Sequence, residues 1–528
     1  MRLLGKMNLV RIVLALFFLF AAVLPLANMF ARMVDPAVRE VFSSEQFFTA
    51  CMNSVSVSLT ATALSLSAAL FVAWALCRTN IKGKGVIAVV MTAPMLIPSL
   101  AHGMSLVFLF GSNGMITRAF GLESGLYGFW GIVAGSVLYS FPSAFLLLYD
   151  VLKYEDATPY EAASVLGVPS FRQFVGITLP YLRRPLIAAA FATFALVVTD
   201  YGVPLMVGGK CVTLPVLMYQ EVVGLLNFDT GIAIGFVLLI PAIVAFVADM
   251  LNAERGRIAF VSKPFSIKRN RVRDGIASLC IAGMGLFVIM PVAAFSFVAF
   301  VKKYPVDLSF TVANIGRAFN MNMGEYWANS LFIACAVALI GTCLAYCAGY
   351  ITARAGGRFA KALHLACITT LAVPGIVLGL SYMVFFKGTF IYGTFAILIL
   401  ANLGHFFASP YLMAYNSLGK VNGNLEAVGS TLGVSRLRIV KDVVIPQTKD
   451  TVLEMFAYFF VNCMVTISAV AFLSTTMDMP LALLISDLDA QRLTECAALV
   501  SLVIFASNVA LKAAVACIKK ASSGRHAR

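Results

Sequence analysis

"EAASVLGVPSFRQFVGITLP" (residues 161–180) and "EAVGSTLGVSRLRIVKDVVIP" (residues 426–446) are similar stretches in an otherwise apolar chain. Gly167 lies 13 residues before Pro180, and Gly433 lies 13 residues before Pro446. Each stretch is charged and lies between two long apolar runs. The sequence therefore predicts a membrane protein that carries one polar segment twice.

The composition of the 528-residue chain is that of a protein embedded in lipid. Apolar residues make up 61% and charged residues 12%, whereas soluble domains carry about 25% charged residues. Because a helix needs roughly 20 apolar residues to cross the hydrocarbon core, we predict an all-α polytopic membrane protein with about 12 transmembrane helices. The predicted spans are residues 12–29, 53–76, 86–110, 129–148, 186–207, 231–250, 276–301, 329–353, 363–386, 391–413, 452–473 and 497–517.

The repeat extends beyond the polar segments. Asn53, Ser54 and Arg78 match residues at an offset of 276, as do Pro98 and Gly103. The polar segments match at an offset of 266, which predicts a longer external loop in the first half, near residues 111–128. The predicted domains are 1–261 and 276–528, two parallel six-span repeats joined by a basic linker at 262–275.

Positive charge indicates the orientation. With twelve spans and a cytoplasmic N-terminus, 30 of the 39 Lys and Arg residues lie on the cytoplasmic side. The positive-inside rule therefore predicts that both termini are cytoplasmic. The basic linker is expected near anionic lipid headgroups, and a nucleic-acid partner is the poorer explanation of the charge.

The first polar segment carries helix start and stop signals. Thr158 and Glu161 form the pattern of a capping box, with Thr158 at the N-cap. Gly167 suits the left-handed conformation that ends a helix, Pro169 starts a second short helix, and Pro180 turns the chain into the next span. We expect a sharply bent pair of short helices on the cytoplasmic surface. They either dock into a partner's groove or rest on headgroups, and two copies favour a partner with two equivalent grooves.

These segments resemble the EAA loop of binding-protein-dependent ABC importer permeases, in which E-A-A is followed by a Gly and, about a dozen residues later, by a Pro. The first copy fits at Glu161, Ala162, Ala163, Gly167 and Pro180. The second keeps Gly433 and Pro446, but Ala427 stands in the place of the Glu and Glu426 lies one position early. The resemblance covers essentially the whole chain and implies the type I ABC importer permease fold.

The resemblance also implies partners. In that family the loop is a coupling helix that sits in a cleft of a cytoplasmic ATPase subunit. This sequence has no G-x-x-x-x-G-K-S/T phosphate loop, so ATP is expected to be used by a separate ATPase dimer. This chain is expected to bind no cofactor. The chain is expected to be a permease of the bacterial inner membrane, not an enzyme, that receives its solute from an external binding protein.

The solute is less well indicated. The chain resembles fused permeases of the ferric iron and 2-aminoethylphosphonate branch, through "FALVVTDYGVPLMVGG" and "FVNCMVTISAVAFLS". An intramembrane carboxylate often faces a pathway, but it also occurs as a structural hydrogen-bonding group, and both alternatives stay open for Asp200. The candidates for the substrate path are Asp200, Tyr201, Asn462, Thr466 and Ser468. Lone His102 and His405 are expected to be hydrogen-bonded structural residues, and no metal site is predicted.

Other classes of protein explain less of the sequence. An ion-coupled 12-span carrier would need no ATPase and no paired docking loops. A membrane enzyme predicts acids and histidines clustered at one face, and a scaffold does not explain the repeated, proline-interrupted spans. Of these, the carrier is the principal alternative.

Overall fold

A computed structural model of the chain describes residues 2–121, 125–253, 265, 267, 269–355 and 357–524. Residues 262–264, 266 and 268 of the predicted linker lie outside the described residues. The helices of the first sequence half are α1 (Arg2–Phe18), α2 (Leu24–Ala31), α3 (Pro36–Glu40), α4 (Glu45–Arg78), α5 (Lys84–Met91), α6 (Ser99–Phe110), α7 (Met115–Phe120), α8 (Phe129–Lys153), α9 (Thr158–Val165), α10 (Ser170–Gln173), α11 (Leu179–Val198), α12 (Gly202–Val207), α13 (Leu214–Tyr219) and α14 (Phe228–Ala253).

The second half begins with a long helix and a short antiparallel hairpin. Its helices are α15 (Arg271–Ala299), α16 (Ala313–Asn320), α17 (Met323–Tyr350), α18 (Gly357–Thr369), α19 (Gly375–Phe386), α20 (Phe395–Phe406), α21 (Ala408–Lys420), α22 (Leu425–Thr431), α23 (Arg436–Ile439), α24 (Ile445–Gln447), α25 (Lys449–Val465), α26 (Leu481–Ala490) and α27 (Thr494–Gly524). The hairpin pairs β1 (Val301–Lys303) with β2 (Asp307–Phe310). The all-α class is confirmed.

Nine of the predicted spans are recognisable within the described residues. Seven are long apolar helices: Leu9–Val34, Glu45–Arg78, Phe129–Lys153, Ser170–Val198, Arg271–Ala299, Met323–Arg354 and Thr494–Ser522. Two are bent pairs: Gly357–Ala372 with Gly375–Phe386 at 105°, and Phe395–Phe406 with Ala408–Lys420 at 53°. Of the other three predicted stretches, 86–110 is divided between α5 and α6, 231–250 lies within the 26-residue helix α14, and 452–473 remains helical only to Val465.

Two compact units form from the described residues, and each takes segments from both sequence halves. One unit consists of Ser43–Gln220 and Ile240–Asn314, and α4 packs there against α8 and α11. The other consists of Met1–Phe42, Glu221–Leu239 and Ile315–Arg528, and α17 packs there against α21 and α25. The predicted boundaries at 261 and 276 therefore stay a prediction about the sequence repeat, since the spatial units are assembled differently.

The matched polar residues make the same contacts in both halves. The amide of Asn53 donates to Val212 O over 3.0 Å, and that of Asn329 donates to Met477 O over 3.0 Å. The hydroxyl of Ser54 accepts a hydrogen bond from the first backbone N–H of α13 over 2.7 Å, and that of Ser330 accepts from the first N–H of α26 over 2.7 Å. A helix begins with N–H groups that lack partners within the helix. The repeated Asn-Ser pair therefore anchors an equivalent short helix in each half.

Candidate functional site: the two repeated loops

The first loop, residues 158–180, contains a short helix that stops at a glycine. Gly167 follows α9 with φ of +72°, and Val168 N–H donates to Ala163 O over 3.0 Å. This bond, across a residue in the left-handed conformation, is the usual way to close a helix end. A Cβ atom would be strained at this φ, so the predicted stop at Gly167 is confirmed.

The second loop, residues 424–446, closes in the same way. Gly433 follows α22 with φ of +68°, and Val434 N–H donates to Gly429 O over 2.8 Å. The residues involved lie at the offset of 266 from those of the first loop. The two bends are therefore equivalent in backbone geometry, although their sequences differ.

The predicted capping box at the start of α9 is misplaced by one residue. The N-cap is Ala157, and α9 begins at Thr158. Asp156 accepts from the backbone N–H of Thr158 over 3.0 Å and from its hydroxyl over 2.8 Å. The sequence pattern overlooked Asp156, whose carboxylate accepts from the first helical N–H, that of Thr158, from two residues earlier.

The second short helix begins directly after Pro169 as predicted, at Ser170, but it is not separate from the next span. Residues from Ser170 to Val198 run as one helical segment, because a π-helical turn at Phe174–Thr178 joins α10 to α11. Val440–Val444 is a π-helical turn at the equivalent place in the second loop. Proline lacks the N–H that an α-helical turn requires, and the wider turn before Pro180 and Pro446 lets the chain remain helical.

The two bends are packed with different side chains. Ala163 is buried on the inner side of the first bend, and Gln173 donates to Val168 O over 2.8 Å. In the second bend the equivalents are Gly429 and Ile439, and a Cβ on Gly429 would overlap the Ile439 side chain. A hydrogen bond holds the first bend where apolar contact holds the second.

Each bend exposes large apolar side chains. Val165 and Leu166 are 88% and 80% exposed in the first loop, and Leu432 is 72% exposed in the second. Glu161 and Ala162 also lie on the exposed side of α9. A patch of exposed apolar residues on a soluble surface marks a contact site for a protein or a membrane. The loops therefore offer matched surfaces that the described residues do not cover.

An arginine at the end of the long helix α4 holds the first loop. Arg78 forms an ion pair with Glu155, which precedes α9. The Tyr160 hydroxyl donates to the other oxygen of Glu155 over 2.5 Å and lies 2.6 Å from the Thr178 hydroxyl. We call Arg78, Glu155 and Tyr160 the first arginine cluster.

The equivalent arginine holds the second loop by a different acid. Arg354 pairs with both oxygens of Glu426, in the first turn of α22. It also donates to the carbonyls of Leu418, Val421 and Asn422 over 2.7–3.2 Å. The Tyr350 hydroxyl donates to Glu426 over 3.1 Å. Arg354, Glu426 and Tyr350 form the second arginine cluster.

The two acids have opposite pKa shifts. Burial raises the pKa of Glu155, and the hydrogen bond from Tyr160 and the charge of Arg78 only partly oppose it. The hydrogen bond from the Arg354 guanidinium lowers the pKa of Glu426. Sequence analysis missed Glu155 and the pairing of Glu426. The match of Arg78 with Arg354 at an offset of 276 was the signal that could have revealed them.

Asp200, the first substrate-path candidate, has a local structural function. Its carboxylate accepts from the N–H groups of Gly202 and Val203 over 3.2 and 3.0 Å. It therefore caps α12, as an acid does at a helix start. This observation supports the structural alternative for Asp200. The neighbouring Tyr201 is buried and stacks on Tyr219 with ring centroids 4.9 Å apart.

The other candidates lie at the end of α25. Asn462 donates to Tyr458 O within the helix over 2.8 Å, Thr466 is the C-cap, and Ser468 follows close to Gly375. His102 is hydrogen-bonded to Pro98 O over 3.0 Å, as predicted, whereas the buried Nδ1 of His405 has no hydrogen-bond partner among the described residues. Among the described residues, no three potential metal ligands lie close enough together to hold an ion.

Comparison with known proteins identifies a repeated family domain. The family described as "Binding-protein-dependent transport system inner membrane component" matches residues 61–253 and 345–521. The chain is 25% identical to the ferric transport system permease protein FbpB of Actinobacillus pleuropneumoniae, over 79% of this chain and 63% of that protein. It is 24% identical to the Fe(3+)-transport system permease protein FbpB 2 of Haemophilus influenzae, over 83% and 82% of the two chains.

A shorter relative matches one part of the chain. The molybdenum transport system permease protein ModB of Azotobacter vinelandii is 32% identical over 32% of this chain and 75% of its own length. The chain thus spans less than two thirds of the FbpB protein from A. pleuropneumoniae but most of the other two relatives.

Proposed function

Because the chain belongs to the family of binding-protein-dependent transport system inner membrane components, we propose that it is the permease of an ATP-driven importer, with both permease domains in one polypeptide. The observation that carries this proposal is the pair of equivalent bends, one in each domain, that expose Leu166 and Leu432. Two subunits of a cytoplasmic ATPase dimer would each receive one loop. ATP is used by that dimer and not by this chain.

The proposed orientation places both loops and both termini in the cytoplasm of the inner membrane. The excess of Lys and Arg on one side of the predicted spans supports it. The external side then receives the solute from a binding protein. Closure of the ATPase dimer pushes on the loops, and the long helices behind them open a path for the solute.

The proposed solute is ferric iron. Two relatives that each match about four fifths of this chain are named for ferric or Fe(3+) transport, which favours iron over 2-aminoethylphosphonate. The polar residues at the ends of α11 and α25 stay candidates for the path: Asp200, Tyr201, Asn462, Thr466 and Ser468.

Uptake by proteoliposomes tests the proposal. The chain is reconstituted with its ATPase subunit and with a binding protein loaded with radiolabelled ferric iron. We expect uptake that requires ATP and continues when an ionophore removes the ion gradients. Uptake that stops with the ionophore and proceeds without ATP would instead establish the ion-coupled carrier.

A further inference from the structure

The two arginine clusters contain the same three residue types in different places. Arg78 and Arg354 match at an offset of 276, at the same end of α4 and α17. The offset of 266 that aligns the loops places Glu155 opposite Val421 and Tyr160 opposite Glu426. The acid of the second cluster therefore lies five residues further along, inside the loop helix.

The tyrosine has moved as well. In the first cluster Tyr160 belongs to α9, whereas in the second Tyr350 belongs to α17. In the first loop, the α9 residue that reaches the cluster is thus Tyr160, with a neutral phenol, and the acid Glu155 precedes α9. In the second loop the residue that reaches the cluster is the carboxylate itself. The charge that holds α22 is therefore part of α22.

Both clusters are well shielded from solvent. The side chains of Arg78 and Glu155 are 11% and 3% exposed, and those of Arg354 and Glu426 are 6% and 14% exposed. Loss of one partner from a buried pair leaves an uncompensated charge and is strongly destabilising. Such a pair fixes the position of a loop far better than an exposed pair does.

The first cluster has an additional aromatic neighbour from the linker. The Arg78 guanidinium lies 3.4 Å from the centroid of the Phe265 ring, and the rings of Phe265 and Tyr160 meet edge to face at 4.9 Å. Arg354 instead uses backbone carbonyls of the α21–α22 connection. The helix of the first loop is therefore joined to its cluster by the Tyr160 hydroxyl and an edge-to-face ring contact, and the helix of the second loop by its own carboxylate.

We propose that Glu426 is a positioning residue: through Arg354 it fixes α22 to α17, so that the second loop moves with the long helix directly. Glu426 thus acts inside the molecule and is not the counterpart of Glu161 on the exposed face of α9. The first loop is joined to α4 less directly, through Tyr160 and Glu155. This inference rests on the proposed function for its consequence, unequal coupling of the two loops to the ATPase.

Variants that convert the second arginine cluster into the form of the first test the proposal. Glu426→Tyr alone removes the acid from the second cluster. Val421→Glu combined with Glu426→Tyr rebuilds the second cluster in the form of the first. Glu426→Gln removes the charge at nearly constant shape, and Glu454→Gln is a matched control, because Glu454 pairs with Lys519 on the surface.

The first readout is hydrogen exchange of the purified chain alone. Because removal of one partner of a buried pair is costly, Glu426→Tyr should accelerate exchange in residues 425–434 on the order of a hundredfold. The double variant should restore protection, and Glu454→Gln should leave it unchanged. Unchanged exchange in both Glu426→Tyr and Glu426→Gln, or no recovery in the double variant, would overturn the proposal.

The second readout is ATP hydrolysis by the assembled complex. Glu426→Tyr should reduce the ratio of hydrolysis stimulated by the loaded binding protein to basal hydrolysis about tenfold, and the double variant, which has the less direct arrangement, should recover part of that ratio. Equal loss of basal and stimulated hydrolysis would show a merely structural role and overturn the proposal. If the exchange results hold but the wild-type chain binds no ATPase, the proposed function fails and the positioning of α22 by Glu426 stands.

Discussion

The two loops share a backbone and differ in what holds it. Both stop a short helix at a left-handed glycine and close the bend with the same backbone hydrogen bond. The first is held by a buried acid that precedes its helix, and the second by an acid within its helix. The comparison teaches that the geometry of a docking loop is kept while the supporting side chains change places.

The largest expected effect separates the two arginines. Arg354→Ala removes the hydrogen bonds to the Glu426 carboxylate and to the carbonyls of the α21–α22 region, so we expect a loss of about 3–5 kcal/mol in local stability. Arg78→Ala should cost less, because the Arg78 guanidinium donates to one oxygen of Glu155 and the Tyr160 hydroxyl still donates to the other. Thermal unfolding and hydrogen exchange of the purified chain measure both. A greater loss for Arg78→Ala would contradict the comparison.

A second prediction concerns the packing of the bends. Gly429→Ala places a Cβ where the Ile439 side chain lies, and such overpacking costs about 1–3 kcal/mol. Ile439→Ala in the same chain should relieve the overlap. Ala163→Gly, the converse change in the first loop, should cost only about 1 kcal/mol. Hydrogen-exchange rates of the two loops measure these costs. If Gly429→Ala left the exchange rates of the second loop unchanged, the difference in packing would be refuted.

The glycines at the bends should respond alike. Gly167→Ala and Gly433→Ala each force a Cβ into a left-handed backbone, at about 1–2 kcal/mol. Gly176 and Gly423 provide matched controls, because a Cβ at either position meets open space and neither has a positive φ. ATPase co-purification should weaken for the first pair and persist for the second. Unequal effects at Gly167 and Gly433 would show that the bends are not equivalent.

The smallest expected effect is in the pH dependence. The pKa of Glu426 is lowered, so its contribution to stability is present above about 4.5 and is lost as the pH falls through the folded value. The pKa of Glu155 is raised, so its contribution is present at low pH and is lost as the pH rises through the folded value.

Acidification from pH 7 to well below pH 4.5, through the folded pKa of Glu426, should therefore expose the second loop and not the first. Hydrogen exchange, corrected for the intrinsic effect of pH, measures this in residues 425–434 and 158–168. Glu426→Gln should remove the pH response of the second loop. A response of the first loop alone would contradict the assigned shifts.

Much of the fold could be predicted from the sequence because its signals are local. Apolar runs predicted the spans. The change in offset from 276 to 266 predicted that the connection between α6 and α8 is longer than the equivalent connection between α19 and α20, as the structure shows. Gly167 could be predicted as a stop because only glycine adopts that φ without strain. Span number was harder, since hydropathy does not show a 105° bend.

The candidate site was only partly predictable because its contacts join distant residues. Arg78 and Glu155 are 77 positions apart, and no motif links them. Glu426 looked like a displaced family acid, yet it is the partner of Arg354. Asp200 looked like a pathway acid, yet its oxygens accept from the start of α12. In each case the sequence showed an unusual residue, but only its neighbours in the structure showed which contacts it makes.

Photo-crosslinking tests the central claim, that both loops dock onto an ATPase, most directly. Leu166 and Leu432 lie at the offset of 266 and are both exposed, so each is replaced by p-benzoylphenylalanine in the full chain. Phe390, which is 93% exposed between α19 and α20, serves as the control on the proposed external side. We predict that positions 166 and 432 each capture the ATPase subunit and that position 390 does not. Failure of both loop positions to capture it, in a complex that imports the solute, would contradict the account.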